Sequence, residues 1–282
     1  MTIEPIVIGD WPGFTRIPVA TRAGTLSVRV GGPVDGTPVL FNHSILTSSA
    51  IWHRQAARLA ASGWRVLCLD MRGHGKSAAP AGSYAMDDLV ADDIAVLDAL
   101  AVKRAHVVGV SLGGMTCFGL GSHHSDRLLS LCIIAARADA PAPFAAAWDD
   151  RIALVQREGV APLARPTAAR WSGQAFLDGH PAIAAALHEC ILETSPVGFV
   201  GCARAIQGLA YLDMVNRISV PVTLAIGTHD ELLLQPMRDL AGIVPGSKLV
   251  EINGAGHLPQ LDRPDEMEAV LMGHLQEASR AS

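Results

Sequence analysis

The chain has 282 residues, half of them hydrophobic, so it can bury a large core and is not expected to be disordered. Its 22 basic and 27 acidic residues give a formal net charge of -5, and no lysine or arginine cluster could follow a phosphate backbone, which argues against nucleic acid as a partner. No stretch stays apolar for the roughly eighteen residues that a membrane-spanning helix needs, and the N-terminal segment lacks signal-peptide features. We therefore expect a cytoplasmic protein with no membrane partner.

Short apolar runs alternate with segments of helical period along most of the chain. An antiparallel hairpin is predicted first, and strands and helices then follow in turn. The predicted strands are 14–20, 26–31, 38–42, 64–70, 106–111, 128–136, 220–227 and 248–252. The predicted helices are 49–62, 86–101, one beginning at Leu112, 236–243 and 264–278. This order predicts an α/β fold with a mostly parallel sheet flanked by helices.

The strand pattern is interrupted once, between Arg137 and Asp213, by an alanine-rich segment of helical character. We interpret it as a helical cap inserted into the sheet domain, entered through the hinge 138–147. The predicted domains are accordingly a core of residues 1–136 and 214–282 and a cap of residues 137–213.

The strongest local motif is a G-x-S-x-G sequence, Gly109 to Gly113, between a predicted strand and a predicted helix. In this setting the motif places a serine, here Ser111, on a tight turn with its hydroxyl above the sheet. The alternative is a glycine-rich turn that serves only to pack the helix on the strand.

A serine hydroxyl is a weak nucleophile and needs a base that is oriented by a carboxylate. Asp230 follows the strand 220–227, and His257 follows the strand 248–252. The carboxyl ends of parallel strands meet at one edge, so we expect Ser111, Asp230 and His257 to converge there as nucleophile, acid and base. The alternatives are a surface or capping histidine and an aspartate that caps a helix.

An acyl-transfer site also needs hydrogen-bond donors for an oxyanion. We predict that the backbone N–H groups of Leu112 and Ile45 supply them. We interpret the polar segment 70–77 as structural, and the five cysteines as reduced core residues. No nucleotide-binding or metal-binding motif is present, so neither a cofactor nor a metal is expected.

These motifs together resemble the α/β-hydrolase superfamily over nearly the whole chain. The segments Asn42-His43-Ser44, Ala135-Ala136-Arg137, Trp148 with Arg151, and Arg170-Trp171 resemble 3-oxoadipate enol-lactonases more narrowly. Two segments depart from these patterns. His43-Ser44 stands where many α/β-hydrolases have His-Gly, and the sequence of residues 256–259 resembles that of the superfamily in general and not that of the lactonases.

The resemblance implies a helical cap over an active site that hydrolyses a small lactone or carboxylic ester through an acyl-serine intermediate. Arg137 and Arg170 are candidates to bind a substrate carboxylate, with Trp148 and Trp171 beside them, although each arginine could equally be a surface or cap-stabilising residue. The alternatives are a carbon–carbon bond hydrolase acting on a ring-cleavage product, and a non-catalytic ligand-binding protein of the same fold. The sequence does not define the oligomeric state, and a homo-oligomer is compatible with it.

Overall fold

The computed structural model describes residues 3–281, which form eight strands and twelve α-helices. The strands are β1 (Phe14–Thr21), β2 (Gly24–Gly31), β3 (Pro38–Asn42), β4 (Arg65–Asp70), β5 (Ala105–Val110), β6 (Leu128–Ile134), β7 (Val222–Gly227) and β8 (Lys248–Ile252). The helices are α1 (His53–Ala61), α2 (Met86–Ala99), α3 (Leu112–His123), α4 (Ala142–Ala146), α5 (Asp149–Glu158), α6 (Ala164–Ser172), α7 (Gln174–Gly179), α8 (Pro181–Leu192), α9 (Pro196–Gln207), α10 (Leu234–Ala241), α11 (Pro259–Asp262) and α12 (Pro264–Ala281).

All eight strands belong to one sheet with the order β1-β2-β4-β3-β5-β6-β7-β8. The pairs β1–β2 and β2–β4 are antiparallel, and every other neighbouring pair is parallel. The predicted α/β fold, with its N-terminal hairpin at one edge of a mostly parallel sheet, is therefore confirmed.

The central strands are mainly apolar because helices cover both faces of the sheet. Every residue of β5 and of β7 is buried. His106 of β5 is linked through the Ser130 hydroxyl to His274 of α12, whereas Gly109 lies against Gly113 of α3. Positions three apart on a strand point to opposite faces, so α12 and α3 cover opposite sides of the sheet.

Two strands end earlier than the sequence predicts. Ser111 was expected to close β5 and Ala136 to close β6, but β5 ends at Val110 and β6 at Ile134. The reason is the backbone, since Ser111 has a φ of 56° and Ala135 a φ of 46°, values that a strand cannot contain. Helix boundaries shift by two or three residues: the helix predicted at 236–243 spans Leu234–Ala241, and the last helix extends to Ala281 instead of ending at 278. The segment 49–62 begins as a 3₁₀ turn at Ser49–Trp52.

Helices α4–α9 occupy the chain between β6 and β7. The two ends of this insertion are joined, because Tyr211 donates its N–H to the Ala138 carbonyl at 2.7 Å and Asp139 forms an antiparallel bridge with Ala210. The division into a core of 1–136 and 214–282 and a cap of 137–213 stays a prediction, and residues 1, 2 and 282 lie outside the described range.

The five cysteines are buried and form no disulfide, as predicted. Within residues 3–281, no single helix has both the length and the apolar character required to cross a bilayer. Helices α8 and α9 meet that requirement only as a pair, and they are bent by 90° at the break between them.

Candidate active site

Ser111 lies on a sharp turn between β5 and α3, with φ 56° and ψ -115°. A residue with a Cβ is strained in such a conformation, at a cost of about 1–3 kcal/mol. There is no room for a side chain at the flanking glycines. A Cβ on Gly109 would lie 2.3 Å from the Gly113 carbonyl oxygen, and a Cβ on Gly113 would lie 2.5 Å from the Asn42 carbonyl oxygen. The close approach of strand and helix thus fixes the turn that presents the serine.

Asp230 and His257 come together at the carboxyl ends of β7 and β8. His257 Nδ1 lies 2.6 Å from Asp230 Oδ2, and both side chains are largely buried. Burial raises the pKa of Asp230, but the His257 imidazole and the hydrogen bonds that the carboxylate accepts outweigh it, so the pKa lies below its ordinary value. An Nδ1–H donated to a carboxylate leaves Nε2 as an acceptor. Glu231, the neighbouring carboxylate, is exposed.

Ser111 and His257 line the same cavity, together with Ile45. The Ser111 hydroxyl forms no hydrogen bond with His257 or with any other residue that the structure describes. The structure therefore joins the carboxylate to the imidazole directly, and it brings the imidazole and the hydroxyl to one cavity.

Two backbone donors without an acceptor lie at this site: Ile45 lines the cavity, and Leu112 directly follows Ser111. Across the described chain, neither the N–H of Ile45 nor that of Leu112 forms a hydrogen bond. Leu112 begins α3, where the helix dipole is positive. The loop after β3 is held beside this helix end, because Gly113 donates its N–H to the His43 carbonyl at 3.1 Å.

Two buried imidazoles fix the loop that carries Ile45. His74 Nε2 accepts the N–H of Leu46 at 3.1 Å, and His43 Nε2 accepts the N–H of Met71 at 2.9 Å. Both rings must be neutral to accept, with Nδ1–H facing a carbonyl oxygen. Burial accordingly lowers the pKa of His74 to about 3 and also lowers that of His43. The structural interpretation of segment 70–77 agrees with these contacts.

Trp171 holds the histidine loop from the side of the insertion. Its carbonyl accepts the N–H of His257 at 2.7 Å, and its ring stacks on the imidazole at a centroid distance of 5.9 Å and an angle of 21°. A Cβ on Gly256 would lie 2.0 Å from the same carbonyl oxygen, while the Gly256 N–H donates to Asp262 Oδ2 at 2.8 Å. Burial raises the pKa of Asp262 to about 7.

The cavity has a volume of about 370 Å³ and mainly apolar walls. Three arginines interrupt them, and they differ in their partners. Arg137 is already paired: it binds the Asp139 carboxylate at 2.9 Å and lies over the Phe144 ring at 4.5 Å. The predicted role of Arg137 in binding substrate therefore competes with an internal carboxylate.

Arg151 and Arg170 have no carboxylate partner among the residues described. Arg151 lies over the Trp148 ring at 5.0 Å from its centroid. Arg170 is open to solvent, yet desolvation by the cavity walls and the nearby Arg151 charge lower its pKa to about 10. Two cations held close together at the edge of an apolar cavity form a place for an anion.

No group of three or more potential metal-binding side chains occurs in the described part of the chain. Sequence reasoning had included Arg151 only through a resemblance, and it gave the buried histidines no specific partners. The signal for Arg151 is its spacing from Trp148, which places both side chains at the start of α5. The contacts of His43 and His74 join segments about thirty residues apart, and no local pattern predicts them.

Comparison with known proteins agrees with this architecture. A family model described as the alpha/beta hydrolase fold matches residues 37–264. The chain is 31% identical over 234 residues to 3-oxoadipate enol-lactonase 2 of Acinetobacter baylyi, an alignment that covers 83% of this chain and 86% of that protein.

Two solved structures are also similar. The enol-lactonase from Burkholderia xenovorans LB400 has a TM-score of 0.88 and 28% identity, covering 92% of this chain and all of that one. A thermophilic esterase from Thermogutta terrifontis, solved with malate bound, has a TM-score of 0.85 and 26% identity, covering 94% and 99%. The match over most of its length shows that the chain belongs to the alpha/beta hydrolase fold family.

Proposed function

We propose that the protein is a serine hydrolase that cleaves a small lactone or carboxylic ester through an acyl-Ser111 intermediate. The observation that carries this proposal is the 2.6 Å contact of His257 with Asp230, in a cavity that Ser111 also lines on its strained turn. Relatives named enol-lactonase and esterase support the same reaction class.

In the proposed first step the Ser111 oxygen attacks the substrate carbonyl while His257 Nε2 takes the hydroxyl proton. Asp230 stabilises the resulting imidazolium. The N–H groups of Ile45 and Leu112 donate to the oxyanion, an interaction worth about a hundred- to a thousandfold in rate per donor. His257 returns its proton to the leaving oxygen, which stays attached to the acyl group in a lactone and departs as an alcohol from an ester.

In the second step His257 removes a proton from water, and the resulting nucleophile attacks the acyl-serine carbonyl. Collapse of the second tetrahedral intermediate breaks the bond to Ser111, whose oxygen takes the proton back from His257. The product is a carboxylic acid. This cycle requires no cofactor.

The two arginines that have no carboxylate partner among the described residues support a more specific substrate class. Arg151 and Arg170 favour a substrate that carries a carboxylate group in addition to its scissile ester. Trp148 supports Arg151, and the apolar walls suit the carbon chain between the two ends. We do not extend this role to Arg137, because Asp139 occupies its guanidinium. The esterase from Thermogutta terrifontis, a similar structure, was solved with malate bound, and malate is a small acidic ligand.

The test is a comparison of kcat/KM for an enol-lactone bearing a carboxylate, a neutral aryl ester and a vinylogous diketone. We expect the highest value for the lactone and a measurable value for the aryl ester. A highest value for the diketone, which requires carbon–carbon cleavage, would replace this proposal with the alternative hydrolase. Absence of turnover with all three would favour a ligand-binding protein.

A further inference from the structure

A buried polar pair lies behind the loop that carries Ile45. Asn42, the last residue of β3, donates from Nδ2 to Asp93 Oδ2 of α2 at 2.5 Å. Both residues have no accessible surface. The carboxyl group of Asp93 takes no part in the proposed reaction, and it sits where an ionised carboxylate is costly.

The remaining oxygen of each member of the pair has no partner. Asn42 Oδ1 and Asp93 Oδ1 are both buried and form no hydrogen bond to any residue between 3 and 281. An ionised carboxylate only accepts hydrogen bonds, so it cannot satisfy the amide oxygen. A protonated carboxyl group can, because its O–H is a donor, and one proton would then satisfy both oxygens.

The electrostatic surroundings also favour the neutral acid. Burial raises the pKa of Asp93 well above its ordinary value, against the lowering effect of the Asn42 hydrogen bond. The charged and titratable neighbours that act on it are Asp92 on the same helix and Cys117 on α3. Neither is a cation, and the Asp92 carboxylate is engaged by Arg72 at 2.6 Å.

Asn42 is the point where β3 meets the serine turn. Its carbonyl accepts the Trp52 Nε1–H at 3.2 Å, and the missing Cβ of Gly113 leaves room for its main chain. The next residue, His43, accepts the Gly113 N–H. A displacement of Asn42 would therefore move the loop that presents the Ile45 donor.

We propose that Asp93 is a neutral carboxylic acid that forms a two-bond pair with Asn42 and so positions the oxyanion loop. In this pair Asn42 Nδ2–H donates to one carboxyl oxygen of Asp93, and the carboxyl O–H donates to Asn42 Oδ1. Asp93 is a positioning residue, and its effect on turnover rests on the proposed hydrolase function. The proposal that Asp93 is protonated does not rest on that function.

Infrared difference spectroscopy of the wild type against Asp93→Asn at pH 8–9 tests the protonation state, since Asp262 is then largely ionised. We expect a carboxylic-acid C=O stretch in the wild type that the variant lacks. A difference spectrum with only a carboxylate band would overturn the proposal. This readout needs no turnover, so it stands even if the hydrolase assignment fails.

Kinetics of two variants test the positioning role. The variant Asp93→Asn keeps two hydrogen bonds with Asn42 as an amide pair. The variant Asp93→Leu is close in size and removes both hydrogen bonds. We expect kcat of Asp93→Asn to exceed that of Asp93→Leu by about tenfold or more at similar KM, because a displacement of about 1 Å at a reacting site can cost up to about a hundredfold in rate. Equal kcat for the two variants would contradict the positioning role. If the leucine variant does not fold, Asn42→Ala replaces it in the comparison.

Discussion

Among the residues of the cavity, Arg170 has the role that follows most directly from the proposed substrate, which is to bind its carboxylate. It lies at the end of α6, next to Trp171, and close enough to Asp230 to influence that carboxylate. A guanidinium with no internal carboxylate has its donors available for a bidentate contact. The same argument does not hold for Arg137, which Asp139 binds.

Replacing Arg170 with glutamine should therefore raise KM for a carboxylate-bearing ester by roughly tenfold or more, since a hydrogen bond to a charged group contributes about 1.5–3 kcal/mol. KM for the corresponding neutral ester should change little. Arg165→Gln is the matched control, because Arg165 is exposed on the same helix and does not line the cavity. Equal increases for the charged and neutral esters would contradict a carboxylate contact.

At the level of single residues, the sequence was most informative where a side chain follows a strand. Asp230 and His257 could be paired in advance because each follows the carboxyl end of a predicted strand, and the pairing of β7 with β8 agrees with this. The partners of the arginines could not be predicted, because a long flexible side chain can reach several positions. Asp139, the partner of Arg137, lies only two residues away, but the sequence alone does not show that Arg137 turns toward it.

At the scale of secondary-structure elements, the junction of β5 and α3 combines tight packing with backbone strain. Ser111 donates its N–H to the Ile134 carbonyl at 2.9 Å, and its own carbonyl accepts the Met115 N–H at 2.8 Å. These bonds hold the residue at a φ of 56°, a region that glycine occupies without penalty.

This strained conformation predicts which of two Ser111 variants is the more stable. Both Ser111→Ala and Ser111→Gly should abolish catalysis, but the glycine variant should be the more stable of the two by about 1 kcal/mol, or about 2 °C in Tm. Glycine is ordinarily the less favourable residue, because it gains entropy in the unfolded chain. Thermal melts of the two variants provide the measurement, and a lower Tm for glycine would show that the turn is not strained.

The order of the elements was predictable, whereas several of their ends were not. Mainly apolar runs identify β5 and β7, which helices cover on both faces. The ends of β5 and β6 depend on the positive φ values of Ser111 and Ala135, which hydrophobicity does not encode. The six helices between β6 and β7 were predicted only as helical character, although proline and glycine mark several of their ends. Gly159 and Gly173 follow α5 and α6, and Pro181 and Pro196 begin α8 and α9.

At the scale of the whole molecule, buried neutral histidines join distant parts of the fold. Ser130 contacts His106 at 2.6 Å and His274 at 2.7 Å, and His274 also contacts Thr223 at 2.9 Å. These contacts tie α12 to three strands of the sheet. Burial lowers the pKa of His106 and that of His274 to about 4 each.

Acid should therefore destabilise the protein before its carboxylates titrate fully. The unfolded chain takes up protons at these histidines near pH 6.5, while the folded protein does so only near pH 4. Their contribution to stability is complete above pH 6.5 and is lost as the pH falls from 6.5 to 4, by about 3 kcal/mol for one imidazole.

The free energy of unfolding, measured by urea denaturation between pH 4 and pH 8, should decrease toward acid in the wild type. The decrease should be smaller in His274→Gln, which has no imidazole to protonate at this position. The exposed residue His123 provides the control, and His123→Gln should follow the wild-type curve. A curve for His274→Gln that parallels the wild type would contradict the assignment.

The most direct test of the central claim is covalent labelling with a fluorophosphonate, followed by mass spectrometry of the digested protein. The account predicts one adduct per chain, located on Ser111, and no adduct in Ser111→Ala under the same conditions. Labelling of the wild type should be strongly slowed in His257→Ala, because the base that activates the hydroxyl is absent. Labelling at another residue, or hydrolysis of esters by a protein whose Ser111 never reacts, would contradict it.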